Sequence, residues 1–267
     1  MPQIRVNDTS IHYGWDGPEA GPVVMLSHSL ASDRKMWDPQ VKPLVESGYR
    51  VLRYDHRGHG RSQVAPGDYS IEILAGDAIG LMDGLEIGKV HFVGLSMGGM
   101  VGQLLGATHG DRLLSLTLSS TASYMPPIEL WQERIAAVGE HGLGAVADGT
   151  IDRWFTKAGQ TRLPEAVRQI HATILATPVD GFCACCAAIR DMDLRGSLGA
   201  ITAPTLITVG EHDQGTPVSA AQFIHEHIAG SQLTTVSDAA HMLNIEQAAL
   251  FNRILLGFLQ SLPFETR

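Results

Sequence analysis

A serine between two glycines is the first feature of this sequence that indicates chemistry. Gly94, Ser96 and Gly98 form a Gly-x-Ser-x-Gly pattern at the end of a short apolar run. In such a turn a strand changes abruptly into a helix, and the serine adopts a strained backbone conformation with its hydroxyl exposed. The flanking glycines allow neighbouring backbone to pass close to the serine, because they have no Cβ. The pattern predicts that Ser96 is a nucleophile.

A serine hydroxyl needs a base that accepts its proton, and the base needs a carboxylate that orients it. In proteins that place a serine in such a turn between strand and helix, the three residues follow the chain order serine, acid, histidine. Asp213 follows a predicted strand at 205–209, and His241 follows another at 232–236. We therefore expect Asp213 and His241 to act with Ser96. Glu211 and Asp238 are alternative acids.

Attack on a carbonyl group also requires two backbone N–H groups that stabilise the negatively charged oxygen. We expect one from Met97, which follows the nucleophile at the start of a helix, and the other from Leu30, in the loop after the third predicted strand. His28 belongs to the same loop. It is a candidate substrate contact, and the alternative is that its side chain shapes the loop.

Strands and helices alternate along most of the chain. Continuous apolar runs such as 23–26 and 49–54 are typical of strands buried on both faces. Ser70 is a predicted N-cap for a helix that begins at Ile71. The alternation predicts a mainly parallel sheet flanked by helices. Eight strands are predicted at 4–6, 11–13, 23–26, 49–54, 90–95, 114–119, 205–209 and 232–236. Other predicted helices are 37–47, 98–107, 218–228 and 245–259.

The alternation stops between Tyr124 and Leu198. Helical segments such as 128–138 and 164–176 occur there without a convincing strand. Trp131, Trp154 and Phe155 make this segment too apolar for an exposed linker. We expect a helical cap over the site at the strand ends. The predicted organisation is a core of residues 1–123 and 199–267, with a cap of residues 124–198 inserted into it.

The composition is that of an ordinary globular protein and makes some partners improbable. The chain has 19 Lys and Arg against 28 Asp and Glu, a formal net charge of −9, so nucleic acid and anionic membranes are poor partners. The N-terminus lacks the apolar stretch of a secretory signal, so we expect a cytoplasmic protein. Cys183, Cys185 and Cys186 lie too close together for a disulfide framework, and we expect buried thiols and no metal site.

The motifs resemble those of the α/β-hydrolase family over nearly the whole chain. The shared motifs occupy residues 28–37, 52–62 and 94–100. Residues 153–156, 185–195 and 241–246 resemble one group in that family, the 3-oxoadipate enol-lactonases. Enol-lactonases usually have Asn-Ser-Leu-Gly in the loop after the third strand, whereas this chain has His28 and Ala31 at the outer positions.

The resemblance implies an α/β-hydrolase fold with Ser96, Asp213 and His241 as the catalytic triad and Leu30 and Met97 as the oxyanion donors. The implied reaction opens a small-molecule enol-lactone through an acyl-enzyme, without a metal or an organic cofactor. Such a lactone carries a carboxylate. Candidate partners for it are Arg153 and Arg190, and Trp154 is a candidate wall of the substrate pocket. The alternatives are a carboxylesterase of simple or xenobiotic esters and, more remotely, a ligand receptor on the same fold.

Overall fold

Eight strands form one sheet in the computed structural model, which describes residues 2–262. The strand order is β1-β2-β4-β3-β5-β6-β7-β8. The pairs β1–β2 and β2–β4 are antiparallel, and the remaining pairs are parallel. The strands are β1 (Gln3–Val6), β2 (Thr9–Asp16), β3 (Val23–Ser27), β4 (Arg50–Tyr54), β5 (Val90–Leu95), β6 (Leu113–Ser119), β7 (Thr205–Gly210) and β8 (Gln232–Val236). The predicted eight-stranded, mainly parallel sheet is confirmed.

Eleven α-helices accompany the sheet within residues 2–262. They are α1 (Asp38–Glu46), α2 (Ile71–Gly84), α3 (Met97–Thr108), α4 (Ile128–His141), α5 (Gly144–Trp154), α6 (Lys157–Arg162), α7 (Pro164–Ala176), α8 (Val179–Asp191), α9 (Val218–His227), α10 (Leu243–Glu246) and α11 (Ala248–Ser261). The Ser70 side chain accepts a hydrogen bond from the Ile73 N–H and caps α2, as predicted.

The register of the central strands brings their carboxyl ends together. Ser27 pairs with Gly94, Leu95 with Ser119, and Ser119 with Thr208. The loops that follow β3, β5 and β7 therefore begin side by side at one edge of the sheet. Helix α3 lies tightly on this sheet, because a Cβ on Gly102 would be 3.1 Å from the Leu116 and Phe92 side chains.

Five helices, α4 to α8, lie between β6 and β7. We call residues 124–198 the insertion. Tyr124 and Asp193 form an antiparallel bridge at its base, and the Leu194 N–H donates to the Ser123 carbonyl at 2.8 Å. The segment predicted to be helical and without strands thus contains five helices and this single bridge among its described residues.

The last predicted helix is divided in the structure. The sequence predicted one helix over 245–259, whereas α10 and α11 are separated at Gln247, which has φ −122° and ψ 46°. The Gln247 side chain donates to the Asp238 carbonyl at 3.0 Å. This contact ties the break to the loop that carries His241.

No single helix within residues 2–262 is both long and apolar enough to cross a membrane. Only together are helices α7 and α8 long and apolar enough for such a span, and the pair is bent by 95°.

Candidate active site

Ser96 occupies the sharp turn between β5 and α3. Its backbone has φ 56° and ψ −115°, outside the regions that residues other than glycine usually adopt. A Cβ on Gly94 would lie 2.1 Å from the Gly98 carbonyl oxygen, and one on Gly98 would lie 2.2 Å from the Ser27 carbonyl oxygen. The predicted turn is therefore confirmed, and both glycines are required by close backbone contacts.

His241 and Asp213 form a buried pair after β8 and β7. Asp213 Oδ2 lies 2.8 Å from His241 Nδ1 and accepts a hydrogen bond from the Thr216 hydroxyl at 2.7 Å. Asp213 Oδ1 accepts the N–H groups of Gly215 and Thr216, both at 2.9 Å. Burial raises the pKa of Asp213, but the charge of His241 and these donors outweigh burial and keep the pKa below its ordinary value.

Neither alternative acid bonds to His241 among the described residues. Glu211 has a half-exposed side chain that accepts the Asp238 N–H at 3.3 Å and lies 3.9 Å from His212. Among the described residues, Asp213 is the carboxylate that bonds to His241. The geometry thus favours Asp213 over Glu211 and Asp238.

Ser96 and His241 line one cavity of about 280 Å³ between the sheet edge and the insertion. Ser96 is 9% exposed. The core also contributes the loop after β3, and the insertion contributes residues of α4, α5 and α8. The apolar part of the lining consists of Leu30, Ala31, Met100, Met125, Pro126, Leu130, Trp131, Trp154, Phe182 and Ile189. This size is at the lower limit, about 300 Å³, of ligand cavities in general.

Trp154 forms a wall of this cavity beside His241. The two rings are stacked, with centroids 5.8 Å apart and planes inclined by 26°. The Trp154 carbonyl oxygen accepts the Met242 N–H at 3.0 Å. The end of α5 is therefore held against the histidine loop, as a pocket wall requires.

The two predicted oxyanion donors come from separate segments next to the Ser96 turn. Leu30 lines the cavity. Met97 is the first residue of α3, where the N–H groups of a helix have no partner within the helix. Both positions adjoin the Ser96 turn, since Ser27 pairs with Gly94 in the sheet.

His28 is the first residue of the loop after β3, and its side chain does not line the cavity. Its side chain is 0% exposed. Its Nδ1 lies 2.7 Å from the Ser29 carbonyl oxygen, and its Nε2 accepts the His56 N–H at 2.9 Å. The described cavity residues include Ser29, Leu30 and Ala31 without His28. The prediction of a direct substrate contact is therefore corrected, and the alternative role in shaping the loop fits these bonds.

Two arginines of the insertion reach the cavity. Arg153 on α5 and Arg134 on α4 both line it. Burial and then the positive charge of Arg134 lower the pKa of the Arg153 guanidinium. Arg190, the other sequence candidate, forms ion pairs with Asp191 and Asp68 and is not among the described lining residues.

Sequence reasoning missed Arg134 and Glu246. Arg134 lies on an amphipathic helix, where a lone arginine gives no signal of its environment. Glu246 is 3% exposed; Oε1 accepts the N–H and hydroxyl of Thr156, and Oε2 accepts the Ala240 N–H at 2.9 Å. It joins the insertion to the residue before His241. The only sequence signal for the role of Glu246 was the position of its carboxylate within an apolar helical motif.

The cysteines are free thiols, and Cys185 and Cys186 are buried as predicted, whereas Cys183 is partly exposed. Burial raises the pKa of all three thiols. In the described part of the chain, no group of three or more His, Cys, Asp or Glu side chains is arranged to hold a metal ion.

Comparison with known proteins shows the family of this chain. Residues 22–148 match the family model described as alpha/beta hydrolase fold. The chain is 35% identical to 3-oxoadipate enol-lactonase 1 of Acinetobacter baylyi over 247 residues, which cover 92% of each protein.

Solved structures give the same result. The crystal structure of the enol-lactonase from Burkholderia xenovorans LB400 superposes with a TM-score of 0.95 at 38% identity, covering 97% of this chain and 100% of that one. A thermophilic esterase from Thermogutta terrifontis superposes with a TM-score of 0.92 at 28% identity, covering 98% and 99%. The chain therefore belongs to the α/β-hydrolase family and is a hydrolase.

Proposed function

We propose that this carboxylic ester hydrolase opens a small enol-lactone that carries a carboxylate, of the 3-oxoadipate enol-lactone type. The observation that carries the proposal is the charge of the cavity. Arg134 and Arg153 line it together with Ser96 and His241, and its described lining contains no Asp or Glu. In a chain with a formal net charge of −9, this is a local concentration of positive charge. It favours an anionic substrate.

The arginines are available for such a substrate. Arg153 donates to the Thr150 hydroxyl at 3.3 Å, and the Arg134 guanidinium lies over the Trp131 ring, 4.7 Å from its centroid. Neither is in an ion pair among the described residues, and their mutual repulsion is relieved when an anion binds between or beside them. A lactone made from a dicarboxylic acid retains one free carboxylate, which provides that anion.

Residues 124–198 act in this proposal as a cap. Its helices supply both arginines and the Trp131, Trp154 and Phe182 walls, while the core supplies Ser96 and His241. The cap thus selects the substrate and excludes water, and the core performs the chemistry.

Acylation begins with attack of Ser96 Oγ on the lactone carbonyl carbon. His241 takes the serine proton, and Asp213 holds the Nδ1–H of the ring and stabilises its positive charge. The N–H groups of Leu30 and Met97 stabilise the oxyanion. The ring C–O bond then breaks, and His241 gives its proton to the departing enol oxygen. The enol loses this oxygen proton and gains one at carbon to become a ketone, so the leaving step is energetically easy.

Deacylation uses the same groups, with a water molecule as the nucleophile in place of Ser96. His241 removes a proton from a water molecule, whose oxygen attacks the ester carbon of the acyl-enzyme. The bond to Ser96 Oγ breaks, Ser96 regains a proton from His241, and the product leaves as a keto acid whose new carboxyl group ionises in solvent to give a dicarboxylate. The enzyme returns to its starting protonation state, and the net change is the addition of one water and the release of that carboxyl proton.

Hydrolysis of neutral esters is the second candidate. The loop after β3 contains His28 and Ala31 where enol-lactonases usually have asparagine and glycine, and the apolar half of the cavity accepts an alkyl group without the arginines. The same triad serves both reactions, so substrate preference distinguishes them.

The test compares two lactones with the same ring. One is 3-oxoadipate enol-lactone, and the other is α-angelica lactone, which has a methyl group in place of the carboxymethyl group. We expect wild type to prefer the anionic lactone. Arg153→Gln should raise KM for it by about 10- to 100-fold, the loss expected for a hydrogen bond between charged groups. The KM of this variant for the neutral lactone should change by less than about threefold.

Arg190→Gln is the matched control, because Arg190 also lies in the insertion but pairs with Asp68 and Asp191 outside the cavity. Arg190→Gln should leave the KM for both lactones unchanged. Equal kinetics of the two lactones with wild type, or equal losses for both in Arg153→Gln, would reject recognition of the carboxylate and favour the neutral-ester reaction.

A further inference from the structure

We define the oxyanion loop as residues 28–32. Its first residue, His28, forms a cluster with two other histidines. His28, His56 and His59 are all buried, and the His28 ring lies 4.6 Å from the His56 ring and 5.4 Å from the His59 ring between centroids. None is among the described residues that line the cavity. The mechanism above leaves His59 without a role.

His59 bonds directly to the backbone of the oxyanion loop. Its Nε2 lies 3.0 Å from the Ala31 nitrogen, whose N–H can only donate. Nε2 must therefore be the unprotonated nitrogen, and Nδ1 carries the proton. That Nδ1 lies 3.4 Å from the Arg57 carbonyl oxygen and 3.9 Å from Cys185 Sγ. Burial and then the charge of His28 lower the pKa of His59 to about 3, so the ring remains neutral in ordinary buffers.

The bonded residue is strained. Ala31 has φ 54°, in the left-handed region that favours glycine. Strained residues persist where surrounding contacts hold them. On the other side of Leu30, the Ser29 N–H donates to Met36 Sδ at 3.3 Å. The residues on both sides of Leu30 are thus anchored, and this fixes the direction of the Leu30 N–H between them.

We propose that His59 is a positioning residue for the oxyanion hole: by accepting the Ala31 N–H it holds the loop in the conformation that aims the Leu30 N–H at the oxyanion. The inference rests on the proposed serine chemistry of this site. His59 does not touch substrate. Its effect is on the transition state, because the ground-state ester does not require the hole.

The insertion holds the turn that carries His59. A Cβ on Gly181 in α8 would lie 2.1 Å from the Gly58 carbonyl oxygen, so the two backbones are in direct contact. Cys185, one turn further along α8, faces the His59 ring. Helix α8 therefore fixes the 58–59 turn, and the turn fixes the oxyanion loop.

The experiment compares His59→Leu, His59→Gln and a control, His91→Leu, by hydrolysis of p-nitrophenyl acetate. This neutral ester does not engage the arginines. His59→Leu removes the acceptor, whereas the glutamine side-chain oxygen can restore one. His91 is also a buried histidine with one side-chain hydrogen bond, to Ser115 at 2.8 Å, but it lies at the other end of β5.

We expect His59→Leu to lower kcat by about 10- to 100-fold with KM within about threefold, since loss of a whole donor costs about 100- to 1,000-fold and misdirection costs less. His59→Gln should recover at least half of this loss on a logarithmic scale. His91→Leu should retain the wild-type kcat per folded molecule.

Inhibition by phenylboronic acid gives a second readout, because its tetrahedral adduct with serine places an oxygen in the hole. An inhibition constant does not depend on how much protein is folded. It should rise about tenfold or more in His59→Leu and stay constant in His91→Leu. Equal kcat and equal inhibition constants in these two variants would overturn the role of His59 alone. Failure of wild type to hydrolyse the ester would instead overturn the serine chemistry.

Discussion

Replacement of Asp213 by asparagine tests how the site fixes the His241 tautomer. Asp213 Oδ1 accepts two backbone N–H groups, from Gly215 and Thr216, both at 2.9 Å. Only an oxygen can accept them, so the amide oxygen of asparagine must take the Oδ1 position. The amide NH₂ then takes the Oδ2 position, 2.8 Å from His241 Nδ1.

The NH₂ group donates, so Nδ1 must accept and the His241 proton moves to Nε2. A protonated Nε2 cannot take the Ser96 proton. We expect Asp213→Asn to lower kcat for p-nitrophenyl acetate by about 10⁴-fold, as a wrong tautomer does in serine proteases. This corresponds to about 5.5 kcal/mol in the activation barrier. Since the asparagine makes as many hydrogen bonds, the melting temperature should change little.

The assay combines kinetics, thermal melting and ¹⁵N NMR of the His241 ring. Thr216→Val is the matched control: it removes the hydroxyl that donates to Asp213 Oδ2 at 2.7 Å and leaves the carboxylate in place. It should cost about 10- to 100-fold in kcat, the value of one charge-assisted hydrogen bond, with the proton still on Nδ1. An Asp213→Asn enzyme within tenfold or so of wild type would refute the assignment of Asp213 as the orienting acid.

Three further predictions concern the cavity wall, the insertion and pH. Trp154→Ala should lower kcat/KM for the enol-lactone more than for p-nitrophenyl acetate, because the indole stacks on His241 and orients a planar ring; equal losses that track a lowered melting temperature would mean that Trp154 only fills the core. Glu246→Gln should lower the free energy of unfolding by about 1–3 kcal/mol in denaturant melts, because an amide has only one accepting oxygen and either the Thr156 N–H or the Ala240 N–H loses its acceptor; an unchanged value contradicts the bridging role. Burial lowers the pKa of His91 from 6.5 to about 4. The unfolded chain therefore binds more protons than the folded chain in this range, and the free energy of unfolding should fall as pH falls from 6.5 to 4. The slope is at most about 1.4 kcal/mol per pH unit for this proton, and His91→Gln should lack that share of it; identical slopes would be inconsistent with the lowered pKa.

Local sequence signals predicted the parts of the fold that depend on local physics. The Ser96 turn, the Ser70 cap and the eight strands each have a signature within a few residues: paired glycines, a capping hydroxyl, or a short apolar run. The chain order of Asp213 and His241 then followed from the strands that precede them.

The parts that the sequence left open depend on contacts between distant segments. Helix α5 contains Gly144 and Gly149, which weaken its helical pattern, and it is stabilised by packing in the insertion. Arg134 reaches the cavity only because α4 lies over it. His59 stands between two glycines in the sequence, and its bond to Ala31 spans 28 residues. No local pattern encodes these contacts.

The central claim is that Ser96 forms an acyl-enzyme with the lactone, and rapid acid quench followed by mass spectrometry of the peptides tests it most directly. Because ring opening keeps the leaving oxygen attached, the Ser96 peptide should gain the mass of the entire lactone during turnover. Ser96→Ala should show no adduct and a turnover lower by about 10⁶-fold. Turnover by wild type with no adduct at Ser96, together with an active Ser96→Ala enzyme, would contradict the account.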